Sequence, residues 1–192
     1  MLKHKLRRWL VLAVSIFTVL SSMILVSAAV IDSYGQENCD VGISLTPVGN
    51  FAGQAITIDE DTYVSNLVCY CTEQWGFSYN ITGAIYQANG TVGVDAIGEG
   101  SAIAFSDNHT QYEVSSVPNY SAINFSFSPA VFLEAGDYVV GVEKTYTQGV
   151  SIVYVSADYE GTHEGNSAWS YSGNWVSDND YDTIFYLYGN SS

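Results

Sequence analysis

Apolar and polar positions alternate with a period of two along most of this chain, which is the mark of half-buried strands. In SAINFSF (121–127), Ile123, Phe125 and Phe127 fall on one face, and Ala122, Asn124 and Ser126 on the other. In FSYNITGAIY (77–86), Phe77, Tyr79, Ile81 and Ile85 share a face, with Asn80, Thr82 and Tyr86 opposite. Leu67, Cys69 and Cys71 align in YVSNLVCYC, Tyr138, Val140 and Val142 align in YVVGV, and SIVYVS sets Val153 and Val155 against Ile152 and Tyr154. Turn chemistry separates these runs: DED at 59–61, ANG at 88–90, EAGD at 134–137 and YSGN at 171–174. After residue 31 nothing carries the 3.6-residue period of an amphipathic helix. The pattern predicts an all-β chain folded as a single antiparallel β-sandwich. In its last stretch, NSAWSYSGNWVSDNDYDTIFYLYG (166–189), SAWSY and Asp182 to Tyr188 read as strands, with Phe185 and Leu187 inward and Tyr186 outward. YSGNW and DNDYD read as turns.

The beginning of the chain follows a different pattern. MLKHKLRR holds Lys3, Lys5, Arg7 and Arg8, four of the five Lys and Arg present, and an apolar run from Trp9 to Ile31 closes on VSAAV. A basic head, an apolar core and small residues at a cleavage point mark a secretory signal. Val26-Ser27-Ala28 and Ser27-Ala28-Ala29 both have the spacing of a cleavage site. The run also reaches the ~20 apolar residues that span a bilayer, so an uncleaved signal-anchor helix is the alternative. Either way the rest is exported, placing the protein outside the cell or on its surface. The predicted organisation is a signal or signal-anchor over 1–31, a polar tether over 32–47, a sandwich domain over 48–189 and a tail over 190–192.

Export changes the electrostatics. Lys144 is the only Lys or Arg left against all 20 Asp and Glu. Such a surface repels nucleic acid and anionic lipid, so membrane contact is expected only through an uncleaved N-terminal segment. Cations, neutral glycans and other proteins remain as partners. Three cysteines are present: Cys69 and Cys71 share a strand face and are poor partners for each other, while Cys39 is free to bridge to either. The other reading makes Cys69 and Cys71 small core side chains. Asn-x-Ser/Thr acceptor sites stand at Asn80, Asn89, Asn108, Asn119, Asn124 and Asn190. Asn80 and Asn124 fall opposite the apolar rows, where a glycan meets solvent, and Asn89 belongs to a turn.

Several blocks resemble the choice-of-anchor R type of exported domain. They are FAGQAITIDEDTYVSNLVCYC, ITGAIYQANG, INFSFSPAVFLEAGDYVVGV and DTIFYLYG. The most specific are Phe125, Phe127, Pro129, Leu133, Ala135, Gly136 and Tyr138, with Tyr188-Gly189 closing the domain, and the likeness covers roughly residues 48–189. Pro129 is expected to end one strand, because it cannot donate to a ladder, and Gly136 to make the turn before Tyr138 points inward. The resemblance implies a jelly-roll-like sandwich serving as a surface or accessory module in bacteria and archaea, with no catalytic residues to carry over. Members are tied to the cell by varied C-terminal anchors. This chain closes on GNSS, so attachment is expected through the N-terminal segment.

No catalytic motif appears. GNSAW (165–169) has Trp169 where a nucleophile elbow needs glycine, and His163-Glu164 lacks the second histidine of a zinc-protease helix. The reading is therefore non-enzymatic. Trp75, Trp169, Tyr171 and Trp175 are candidate ligand platforms, since aromatic faces suit surfaces half apolar and half wet. Asp178, Asp180 and Asp182 are candidate calcium ligands, because calcium takes six to eight oxygens, carboxylates prominent among them. The expected function is recognition or adhesion toward an extracellular glycan or protein. The alternative is a structural subunit of a surface layer, filament or virion-like assembly, with self-association.

Overall fold

The structure, a computed structural model, describes residues 28–35, 39–75 and 77–192. The strands in chain order are β1 (Ala29–Tyr34), β2 (Val41–Leu45), β3 (Phe51–Ile58), β4 (Thr62–Gln74), β5 (Tyr79–Asn89), β6 (Ile97–Thr110) and β7 (Ser115–Ser116). After them come β8 (Ser121–Leu133), β9 (Gly136–Thr147), β10 (Ile152–Tyr159), β11 (Ser167–Tyr171), β12 (Asn174–Asp178), β13 (Tyr181–Thr183) and β14 (Phe185–Ser191). Among the described residues, one short 3-10 turn, Gln111–Glu113, lies between β6 and β7.

Two sheets form. The first is built around β4, which pairs β8 along one edge and β14 followed by β10 along the other; β1 lies outside β14 and β2 outside β10. The second has the order β12-β11-β3-β9-β5-β6. All pairings are antiparallel except the two-residue β7, which runs parallel to β4. The inward rows meet between the sheets in one large cluster, with Leu67, Cys69, Phe125, Ile81, Ile85, Val140, Val153, Val155, Phe185 and Leu187 all buried. The alternation along β4, β8, β9 and β10 is the one read from the sequence. The result is a two-sheet, sandwich-like all-β fold.

A second core lies on the opposite face of the second sheet. Phe51, Ala55, Ala84, Tyr86, Val139 and Ala168 are buried there, with Trp175 packed against them. The rings of Phe51, Tyr86 and Trp175 stand 5.1–5.3 Å apart, centroid to centroid. Curling of the sheet, the ordinary consequence of strand twist, brings its edge strands β12 and β6 together over this cluster. Gly98 of β6 is needed for the closure, since a Cβ there would lie 2.4 Å from the Trp175 indole. Phe51 in turn lies over the directly paired Gly53 and Gly141, where an added Cβ would come 2.6 and 2.7 Å from its ring. This core corrects the expectation that Thr82 and Tyr86 face solvent, for both are buried, while Phe77 is 54 % exposed.

Other boundaries move as well. The signal or signal-anchor falls mostly outside the described residues, but its expected last residues, Ala29 to Ile31, belong to β1. The expected tether, 32–47, contains strand among its described residues: Tyr34, Ile43 and Leu45 are buried, in strands that pair with β14 and β10. Polar side chains on the outer face of these two strands hid the alternation. The expected tail at 190–192 is mostly strand, since β14 runs to Ser191. Pro129 interrupts pairing without ending β8: the ladder passes from Asn66–Ser126 to Val64–Val131, and residues 127–130 bulge out.

The final stretch is not one hairpin. β11 and β12 pair across a two-residue turn, with positive φ at Ser172 (51°) and Gly173 (80°), and both belong to the second sheet. β13 and β14 cross to the first sheet. Phe185 and Leu187 are fully buried there, as the alternation predicts. Replacing Phe185 by alanine should therefore destabilise the fold by roughly 3–5 kcal/mol, read as a drop in the urea midpoint, whereas a change under about 1 kcal/mol would contradict this packing.

Candidate functional site

The two ends of the sandwich differ in charge. At one end Ala29 of β1 pairs with Gly189, beside the turns that carry Asp59, Glu60, Asp61, Glu134 and Asp137. The other end is made by the connections 75–78, 111–120 and 148–151, which hold a single carboxylate, Glu113. That carboxylate is turned onto His109 Nδ1 (3.0 Å) and the Thr110 backbone N–H (2.8 Å), which lower its pKa. Large apolar side chains project from this neutral end: Trp75 (58 % exposed), Phe77, Tyr112 (88 %), Val117, Tyr146 and Val150. The connections are joined by their backbones, Gln148 N–H donating to Ser78 O (2.7 Å) and Val117 N–H to Glu73 O (2.9 Å).

Lys144 explains why no cation appears at this end. It sits on the inward row of β9, fully buried, and its ammonium donates to Thr46 O (2.6 Å), Ser151 O (2.6 Å) and Ser151 Oγ (2.8 Å). Three donors meet three neutral acceptors, and the Tyr79 ring lies 6.0 Å away. Loss of hydration brings its pKa down to about 8. Among the described residues, no Lys or Arg reaches the surface.

Beside the neutral end, a cleft of about 400 Å³ opens on the outer face of the second sheet. Its floor is Asn80, Thr82, Ser106, Asn108 and Thr145, and its walls are the rings of Phe105 and Tyr146. Two β-bulges shape it, one on each side of β5. In β9, Asn80 pairs with Tyr146 and Ile81 with Lys144, so Thr145 is the extra residue. In β6, Thr82 pairs with Asn108 and Ala84 with Phe105, which inserts one residue between them. Bulges re-aim side chains, and here they turn Thr145 and Tyr146 to the same side. Thr82 Oγ1 and Ser106 Oγ are spent on each other and on the β6 backbone. Asn108 Oδ1 accepts from Thr145 Oγ1 at 3.2 Å.

Of the expected platforms, Trp75 lies at the neutral end, on a residue with φ 66°, and Tyr171, 63 % exposed, stands at the same end, where the Ser172 N–H donates to Asn50 Oδ1 (3.1 Å). Trp169 points from β11 to the inner side of the second sheet and packs near the Tyr181 ring at 6.0 Å. Trp175 points to the other side and closes the second core, so it is packing and no open platform. The acidic triplet also separates. Asp182 is buried, accepting from Gln54 Nε2 (2.8 Å) and His163 N–H (2.9 Å), and burial raises its pKa. Asp178 caps the Asp180 N–H at 2.9 Å in a turn. Among the described residues, no three His, Cys, Asp or Glu are placed to hold a metal.

All three cysteines are free. Cys69 and Cys71 are buried on the inward row of β4, where burial raises their pKa, that of Cys71 to about 12. Cys39 lies against Ser156 Oγ instead. The acceptor asparagines Asn89, Asn108, Asn119 and Asn124 are exposed, and Asn80 and Asn190 half-buried. His163 is tied inside a network: Gly165 N–H donates to its Nδ1 (3.0 Å), so Nε2 carries the proton toward Asp32 (3.2 Å). Phe105 and Tyr146 escaped the sequence reading. In SAIAFS the small alanines are the half-buried residues, Ala104 against the main core and Ala102 against the second, while the large Ile103 and Phe105 are exposed; that inversion of the usual pattern was the available signal.

Comparison with family models, with curated proteins and with solved structures gives no match.

Two measurements check this description. Because the folded pKa of Lys144 (about 8) lies below its unfolded value of 10.5, its burial costs less as pH rises between the two. The raised thiols of Cys69 and Cys71 act in the opposite sense, losing stability as pH passes the unfolded thiol range. Urea melts at pH 8 and pH 10 should thus show Lys144→Met losing stability more steeply with pH than wild type. Equal slopes would place the ammonium in solvent. Trp175→Ala should cost ~3 kcal/mol, as removing a core ring does.

Proposed function

We propose that this chain is an exported, non-catalytic, N-glycosylated surface module whose neutral aromatic end recognises a glycan or protein outside the cell. The observation that carries the reading is the segregation of charge. In a chain with 20 Asp and Glu, the connections beside Tyr146, which carry Trp75, Phe77 and Tyr112, hold one carboxylate, already engaged. An exposed apolar patch rimmed by polar surface is the usual form of an interaction site. The N-terminal end of β1 lies at the opposite, acidic end, so attachment through the N-terminal segment would point the aromatic loops away from the cell. The likeness to choice-of-anchor R domains supports a jelly-roll-like strand order and a role as a surface module.

Binding of the native protein to an array of extracellular glycans and to surface proteins tests this. Trp75→Ala should weaken binding about tenfold or more, the effect of losing an aromatic contact of roughly 1.5 kcal/mol, with the melting temperature unchanged. Concentration-dependent polymers without ligand binding would favour the structural-subunit alternative. Protease added to intact cells should digest the domain, and full protection until lysis would exclude export. Mass spectrometry should find glycan on exposed Asn124.

A further inference from the structure

We infer that the bulge-framed cleft between β6, β5 and β9 is a subsite for one uncharged pyranose ring, held by Phe105 and Tyr146 and read by the amides of Asn80 and Asn108. The inference rests on the recognition reading above and names the ligand class and the place.

The chemistry of the lining selects the ligand. It contains no charged side chain, only amides, hydroxyls and two rings. The nearest carboxylates are directed elsewhere: Glu143 accepts from Tyr86 Oη, and Asp107 Oδ1 accepts from the Ser126 N–H (2.9 Å). The floor hydroxyls of Thr82 and Ser106 are satisfied within the sheet. The Asn80 amide has no hydrogen bond within the described structure, and Asn108 commits only its oxygen, to Thr145. Each amide N–H₂ has two donors. Unspent amides between two half-exposed rings match a saccharide, whose hydroxyls need paired donors and acceptors and whose C–H faces need apolar walls. Phe105 is 53 % and Tyr146 47 % exposed, and among the described residues neither ring is paired with another aromatic ring.

The paired bulges are the second observation. They flank β5 at the same level, between Asn80 and Ala84, and interrupt both ladders there. A single bulge is common at a sheet edge, but two on opposite sides of one strand open a floor. The saccharide has two sources. It is either a free glycan or a sugar attached to the chain itself, because Asn80 and Asn108 head the acceptor triplets Asn80-Ile81-Thr82 and Asn108-His109-Thr110.

The test uses the full-length protein in two forms. Unglycosylated protein is titrated with glucose, galactose, mannose, N-acetylglucosamine and their β-linked dimers, followed by saturation-transfer NMR. Binding by at least one is expected, weakened about tenfold by Phe105→Ala and by Tyr146→Ala, with melting temperatures held because both rings are half in solvent. The native glycoprotein is examined by mass spectrometry and by NOEs from sugar protons to these rings. Bare Asn80 and Asn108 with binding retained identify a free saccharide, and an attached sugar in contact with the rings identifies the chain's own glycan. The subsite is overturned if the unglycosylated protein binds none of the sugars and no attached sugar touches the rings. It is also overturned if binding survives both ring deletions but is lost with Trp75→Ala, an outcome that leaves recognition by the aromatic end standing.

Discussion

An ammonium sealed between two sheets sets the terms for this molecule. Lys144 reaches from β9 to the end of β2 and the start of β10, and its three hydrogen bonds bind both sheets at one end of the sandwich. The bonds go to neutral oxygens, so the charge is hydrated by protein alone and its pKa falls to about 8. Removing such an acceptor leaves a buried charge unpaired, the costlier side of the balance. The loop at 148–151 is therefore fixed where it emerges, and the aromatic end beside it stands on a rigid base. The same burial withdraws the one Lys or Arg of the described residues from the surface and leaves the connections at that end with Glu113 as their single charge.

The second sheet is shaped by a similar economy of space. Phe51 occupies the room left by Gly53 and Gly141, and Trp175 the room left by Gly98. With both faces of β3, β5 and β9 buried, these strands behave like those of a sheet covered on two sides, although one cover is the sheet's own curled edge. β6 is the far strand of that curl. Its later half is free of the second core, and there one of the two bulges and the outward Phe105 occur, across β5 from the Thr145 bulge and Tyr146 of β9.

The crossing from β12 to β13 joins the two sheets through polar contacts. Gln54 donates to Asp182 and accepts from the Thr183 N–H at 2.7 Å, while Thr183 Oγ1 donates to Gly53 O at 2.9 Å. Buried polar groups that are fully paired fix one arrangement among several. This is why an aspartate that looked like a metal ligand in the sequence is a structural residue.

The sequence by itself determined the fold class and the inward rows of β4, β8, β9, β10 and β14, because a period of two leaves no choice of face once one side is apolar. It also determined the acidity of the chain after residue 31 and the Asn-x-Ser/Thr acceptor triplets. What the tertiary structure alone decided depends on contacts between residues far apart. Tyr86 and Trp175 became core because the sheet curls onto itself, a property of accumulated twist and not of any local pattern. β1 and β2 became strands because distant partners, β14 and β10, supply their hydrogen bonds. Lys144 lies in an ordinary alternating strand, and only the carbonyls of Thr46 and Ser151 make its inward position tolerable. The cleft at Asn80 and Asn108 was invisible for the same reason: a bulge is a mismatch between two strands, and one strand's sequence does not record its neighbour's register.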